Sequence, residues 1–145
     1  MLPYLIAVLP PTNITNRINE LKHQVIERCG VLQESLSIPH ITLNLNKLPN
    51  IELVDKALTE CCESFPPIEI SVKGLNTFPG QTTVIFAQIK NNPALQTLQQ
   101  KICQALAPLR EGEHIRELGT PLTQDQIKIS EIFGYPYVGK IGFHT

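Results

Sequence analysis

Ile38-Pro39-His40-Ile41-Thr42-Leu43-Asn44-Leu45 is the stretch on which the reading of this chain turns. Apolar and polar residues alternate through it without a break, the pattern of a strand with one face against a core. Side chains along a strand alternate with a period of two, so His40 and Thr42 are predicted to share one face, with Ile41, Leu43 and Leu45 on the other. An imidazole and a hydroxyl roughly 7 Å apart on the uncovered face are available for chemistry. Taken alone, the pair also has a plainer reading. Threonine favours strands for steric reasons, and a histidine beside one need do nothing.

Upstream of this strand, Tyr4 to Leu9 is a short apolar run stopped by Pro10-Pro11, predicting a strand buried on both faces. Thr12, Asn13 and Thr15 offer caps for a helix over 13–29, with Ile14, Ile18, Leu21, Val25 and Cys29 on one side and Gly30 as its stop. His23 falls off that stripe and reads as a solvated helix residue. Downstream, Asn50 caps a second helix over 50–63 that ends before Phe65-Pro66-Pro67. Ile68 to Leu75 and Thr82 to Ile89 read as a hairpin turning at Phe78-Pro79-Gly80, and Asn91-Asn92-Pro93 opens a third helix over 93–107. Residues 110–139 mix charge, glycine and proline, and predict an irregular excursion long enough to serve as a lid. Lys140 to Thr145 returns to a strand pattern carrying His144. Amphipathic helices alternating with strands and a hairpin make the expected fold class α+β.

Composition narrows the function. With 145 residues and 42% hydrophobic content the chain can bury one ordinary core, so a single domain over residues 1–145 is expected. A formal net charge of −1 gives no broad basic field, which argues against duplex DNA as a partner and leaves a small phosphate ligand open. Cys29, Cys61, Cys62 and Cys103 lack paired CxxC spacing, so neither a zinc site nor a disulfide framework is expected. The first nine residues are apolar but have no basic flank and are too few to span a bilayer. The expectation is a soluble cytoplasmic protein with no membrane partner.

Three segments carry a resemblance. Pro39-His40-Ile41-Thr42-Leu43, Gly74-Leu75-Asn76-Thr77-Phe78, and Gly134-Tyr135-Pro136-Tyr137-Val138-Gly139 leading to Phe143-His144 resemble the 2H phosphoesterase superfamily, the group of 2′-5′ RNA ligases and cyclic phosphodiesterases. The resemblance covers nearly the whole chain. It implies two similar lobes of antiparallel sheet with outer helices around a central cleft, each lobe supplying a strand with a His-x-Thr or His-x-Ser motif. On that basis His40 and His144 are the expected catalytic acid and base, facing each other across the cleft, and Thr42 the expected phosphate-binding residue. The implied partner is a nucleotide or RNA end carrying a phosphodiester, a 2′,3′-cyclic phosphate or a 2′-5′ linkage, with no metal or other cofactor.

The second motif departs from the family pattern. Thr145 follows His144 directly and the sequence stops where a hydroxyl at i+2 would stand, so a C-terminally truncated domain with a frayed last strand is expected. A regular strand would turn Thr145 away from His144. His114-Ile115-Arg116 is a rival for the second histidine, but it lacks the threonine and sits among Glu111, Gly112, Glu113 and Glu117 in a loop-like setting. The alternative function is a non-catalytic protein that holds a phosphate or RNA end. A third reading, from another class, is a structural partner protein in which His40 is only a strand residue.

Overall fold

A computed structural model of the chain describes residues 2–30, 38–78, 84–118, 120–138 and 143–144. In chain order these form β1 (Leu2–Val8), α1 (Thr12–Cys29), β2 (His40–Leu48), α2 (Ile51–Glu63), β3 (Val72–Phe78), β4 (Val84–Ile89) and α3 (Pro93–Leu106). A 3-10 turn over Ala107–Arg110 leads to β5 (Glu117–Leu118), β6 (Thr120–Pro121), α4 (Gln124–Phe133) and β7 (Phe143–His144). The architecture is α+β, as the alternation of amphipathic and strand patterns predicts. One sheet has the order β1-β2-β7 and is antiparallel throughout; β3 and β4 form a second antiparallel sheet, and β5 with β6 a minimal hairpin. Strand β4 also packs against β7, so the two larger sheets meet there. The turn expected at Phe78-Pro79-Gly80 lies largely outside the described residues, and β3 begins at Val72, later than the alternation from Ile68 predicts.

Local chemistry starts two of the helices as expected. Asn50 accepts the Glu52 backbone N–H at 2.7 Å, and Asn92 accepts that of Leu95 at 3.0 Å with Pro93 in the first turn. Asn92 Nδ2 also donates to the Glu69 carbonyl at 2.8 Å, tying α3 to the segment before β3. Helix α1 differs: its N-cap is Pro11, no side chain caps it, and Thr15 Oγ1 donates to the Pro10 carbonyl instead.

The core joins Ile41, Leu43 and Leu48 of β2 to Val54 of α2, Ala87 of β4 and Leu95, Ile102 and Leu106 of α3. Helices α2 and α3 pack side by side, and α3 lies over β2. Burying each of the larger aliphatics contributes about 1.5–3 kcal/mol. Two apolar elements are less covered than their sequences predict. Strand β1 is an edge strand whose Tyr4, Ile6 and Val8 pack inward while Leu5 is 50% exposed, so it is buried on one face only. Helix α1 has no buried residue; Ile18 packs against the core, but Ile14, Leu21 and Val25 remain partly open.

The alternation in β2 is also broken. Ile6 pairs with Asn44 and Ala7 with Thr42, so Leu43 is an extra residue, a β-bulge. Beyond it the faces exchange. Asn44, Asn46 and Leu48 are buried, whereas Leu45 is half-buried on the face of Thr42, opposite Leu5. The expectation that Leu45 shares a face with Ile41 and Leu43 is therefore corrected, because one inserted residue inverts every side chain after it.

Residues 110–138 are more regular than an irregular excursion. Thr123 and Gln126 form a reciprocal capping box at the start of α4, and Gly134 ends the helix with φ of 78°. Arg110 donates to the Glu131 and Ile132 carbonyls at 2.5 and 3.0 Å, placing a cation at the C-terminus of α4, and to the Glu113 carbonyl at 2.9 Å. Ser130 Oγ donates to the Ile115 carbonyl at 2.5 Å, and the Ile115 N–H to the Gly134 carbonyl at 3.1 Å. Among the described residues no helix is long and apolar enough to cross a membrane.

Gly134 is a sensitive point. A Cβ there would collide with Asn46 Nδ2 and come within 2.9 Å of Arg110 Cδ, on a backbone already left-handed. Gly134→Ala is expected to destabilise the fold by about 1–3 kcal/mol. Urea denaturation checks this, and an unchanged midpoint would contradict the packing described.

Candidate functional site

His40 opens β2 and is half-buried, directly after the buried Pro39. Its Nδ1 lies 2.7 Å from the Ile38 carbonyl oxygen. A carbonyl can only accept, so Nδ1 carries the proton and Nε2 is the basic nitrogen of the neutral ring. Thr42, also half-buried, lies on the same face two residues on, and the bulge at Leu43 begins just past it. The predicted His40/Thr42 geometry is therefore kept over the residues that would use it and lost only beyond them.

Strand β7 pairs with β2 so that His144 stands opposite His40 and Phe143 opposite Ile41. Two histidines separated by 104 positions (144 − 40) thus share one register position. The His144 side chain and Thr145 lie outside the described residues, and with them the distance between the imidazoles and the shape of the second motif's end.

The rival histidine is elsewhere. His114 lies in the loop after the 3-10 turn, not on a strand, with Nδ1 3.3 Å from the Gly112 carbonyl. It lines a half-open cavity of about 480 Å³ formed by residues 112–116 with Asn46 and Lys47 at the far end of β2. Neither His40 nor Thr42 lines that cavity. His23 is exposed on α1, as expected of a solvated helix residue. Among the described residues no group of three His, Cys, Asp or Glu side chains could hold a metal ion.

A family model described as the 2′-5′ RNA ligase superfamily matches residues 10–121. The chain belongs to this superfamily. The match covers 112 of the 145 residues (121 − 10 + 1), from the start of α1 through the His40 strand to β6, and ends before β7. No curated protein sequence matches the chain.

In this superfamily member the His40 strand is backed by buried polar groups that alternation alone does not reveal. Cys103 Sγ, on α3, lies 3.8 Å from the Leu43 carbonyl and donates to it at the bulge, and Asn44 Nδ2 donates to the same sulfur at 3.3 Å. Burial pushes the Cys103 thiol up, which favours the protonated donor this contact needs, and the Asn44 hydrogen bond acts in the opposite direction. Tyr135, 5% exposed, is likewise held well above the ordinary phenol range by burial, with Cys103 and Tyr137 adding to it. Its ring meets Tyr137 edge-on at 5.8 Å, and Gln99 Nε2 reaches the Tyr137 carbonyl at 3.4 Å. The Gly-Tyr-Pro-Tyr segment thereby docks on α3. The available sequence signals were an Asn-x-Asn pair inside an apolar strand and a glutamine in the stripe between Leu95 and Ile102.

The tautomer can be checked directly. Nitrogen NMR of the neutral His40 ring is expected to give a protonated-type shift at Nδ1 and an unprotonated-type shift at Nε2. The reverse assignment would contradict the Ile38 contact.

Proposed function

We propose that the chain is a metal-independent phosphodiesterase acting on an RNA end or nucleotide, opening a 2′,3′-cyclic phosphate or cleaving a 2′-5′ linkage. His40 and His144 serve as general acid and base, and Thr42 donates to a non-bridging oxygen of the phosphate. The observation that carries this reading is the β2–β7 register, in which the two histidines occupy opposed positions of one ladder. Family membership supports the phosphodiester substrate class.

The chemistry explains the need for two imidazoles. As water attacks phosphorus, one ring takes its proton while the new P–O bond forms. The other ring gives a proton to the ribose oxygen as the old P–O bond breaks. An imidazole with an unperturbed pKa near 6.5 serves either role at neutral pH. The roles exchange between the forward and reverse directions. With Nδ1–H donating to the Ile38 carbonyl, Nε2 is the His40 nitrogen assigned to proton exchange with the substrate.

Turnover of a 2′,3′-cyclic nucleotide, and of a 2′-5′-linked dinucleotide, by purified protein in chelator is the test. His40→Ala is expected to abolish turnover with an unchanged melting temperature. Thr42→Ala should lower kcat by about 10²-fold, the usual cost of one preorganised donor. Wild-type turnover in His40→Ala would overturn the assignment, and tight binding without turnover would favour the non-catalytic alternative.

A further inference from the structure

The cavity at the far end of β2 is not part of the proposed acid/base pair, yet it is connected to it. In the ladder with β1, Thr42 stands opposite Ala7, Leu45 opposite Leu5 and Lys47 opposite Pro3. The bulge puts Leu45 and Lys47 on the same face as His40 and Thr42, the face turned away from the core. From Ala7 to Pro3 is four residues, about 13 Å of strand. Along that distance the face changes from the His/Thr pair, through the half-exposed leucines, to Lys47, which lines the cavity together with the buried Asn46.

The cavity has cationic walls and a held frame. Lys47 and Arg116 line it, both are exposed, and neither makes an ion pair among the described residues. His114 lines it two residues before Arg116 in the same loop, and the one carboxylate in the lining is Glu113. The loop is fastened on both flanks: Arg110 grips the Glu113 carbonyl, while Ser130 and Gly134 hold Ile115. A loop fixed in advance loses little freedom when a ligand enters, which favours binding. A volume of about 480 Å³ suits a phosphate with its sugar.

We propose that this cavity is a second anion subsite, built by Lys47 and Arg116, that takes a backbone phosphate of single-stranded RNA whose reacting phosphate is at His40 and Thr42. The proposal rests on that placement of the reacting phosphate. The spacing is more than one nucleotide, so the substrate is an oligonucleotide end, with an intervening base or ribose against Leu5 and Leu45. Lysine and arginine supply the phosphate contacts, and the apolar pair accepts any base, so the subsite reads length and not sequence.

Equilibrium binding to the His40→Ala chain, which does not consume its probe, tests this independently of turnover. Labelled tetraribonucleotide and mononucleotide 2′,3′-cyclic phosphates are titrated over a range of salt. The tetranucleotide is expected to bind at least 10-fold tighter, and Lys47→Gln with Arg116→Gln to remove most of that gain. Each substitution should reduce the salt slope by about one. Equal affinity of the two probes, or a length gain and salt slope that survive both substitutions, would overturn the subsite. A length gain lost in the variants, with no turnover of any substrate by the unsubstituted chain, would uphold the subsite while overturning the phosphodiesterase reading.

Discussion

Strand β2 is held from both edges where it carries its first histidine. Ile41 pairs with Val8 of β1 on one side and Phe143 of β7 on the other, and its side chain is 1% exposed in the core. That triple constraint sets the position of His40, the preceding residue, and makes β7 its neighbour. A site built on paired strands is held more firmly than one on loops, because its geometry follows from backbone hydrogen bonds. Residues 40 and 144 stand opposite each other in the register that pairs Ile41 with Phe143.

Behind the strand, a second constraint preserves the first. A bulge leaves backbone groups without their usual ladder partners, and here the Leu43 carbonyl receives the Cys103 thiol. The same sulfur accepts from Asn44, so the exchange of faces along β2 is anchored to α3 by a small buried network. This exchange also sends Lys47 to the outer face, the one that carries His40 and Thr42. Arg110 plays the equivalent part for the loop 111–116, linking the end of α4 to the Glu113 carbonyl.

Much of this was legible from residue patterns, and the exceptions have physical causes. The α2 and α3 helices, their asparagine caps and the shared face of His40 and Thr42 depend on local periodicity, which sequence records directly. The bulge does not: Ile-Thr-Leu-Asn-Leu-Asn alternates perfectly, and only pairing with β1 reveals that Leu43 is supernumerary. Helix α4 was hidden by charged residues on a short amphipathic pattern, although Thr123-x-x-Gln126 and Gly134 mark both its ends. The exposed stripe of α1 shows the opposite failure, since periodicity reports which face is apolar and not whether anything covers it. The opposed register of residues 40 and 144 is a long-range pairing, and no local signal encodes it.

The central claim is that His40 and His144 act as one unit on one phosphate. A double-mutant cycle in kcat, comparing His40→Ala, His144→Ala and the double variant on a 2′,3′-cyclic nucleotide, addresses it most directly. If the two imidazoles share a transition state, each single substitution removes nearly all turnover and the second adds little to the first. Wild-type kcat in His144→Ala, or losses that simply multiply in the double variant, would contradict the account.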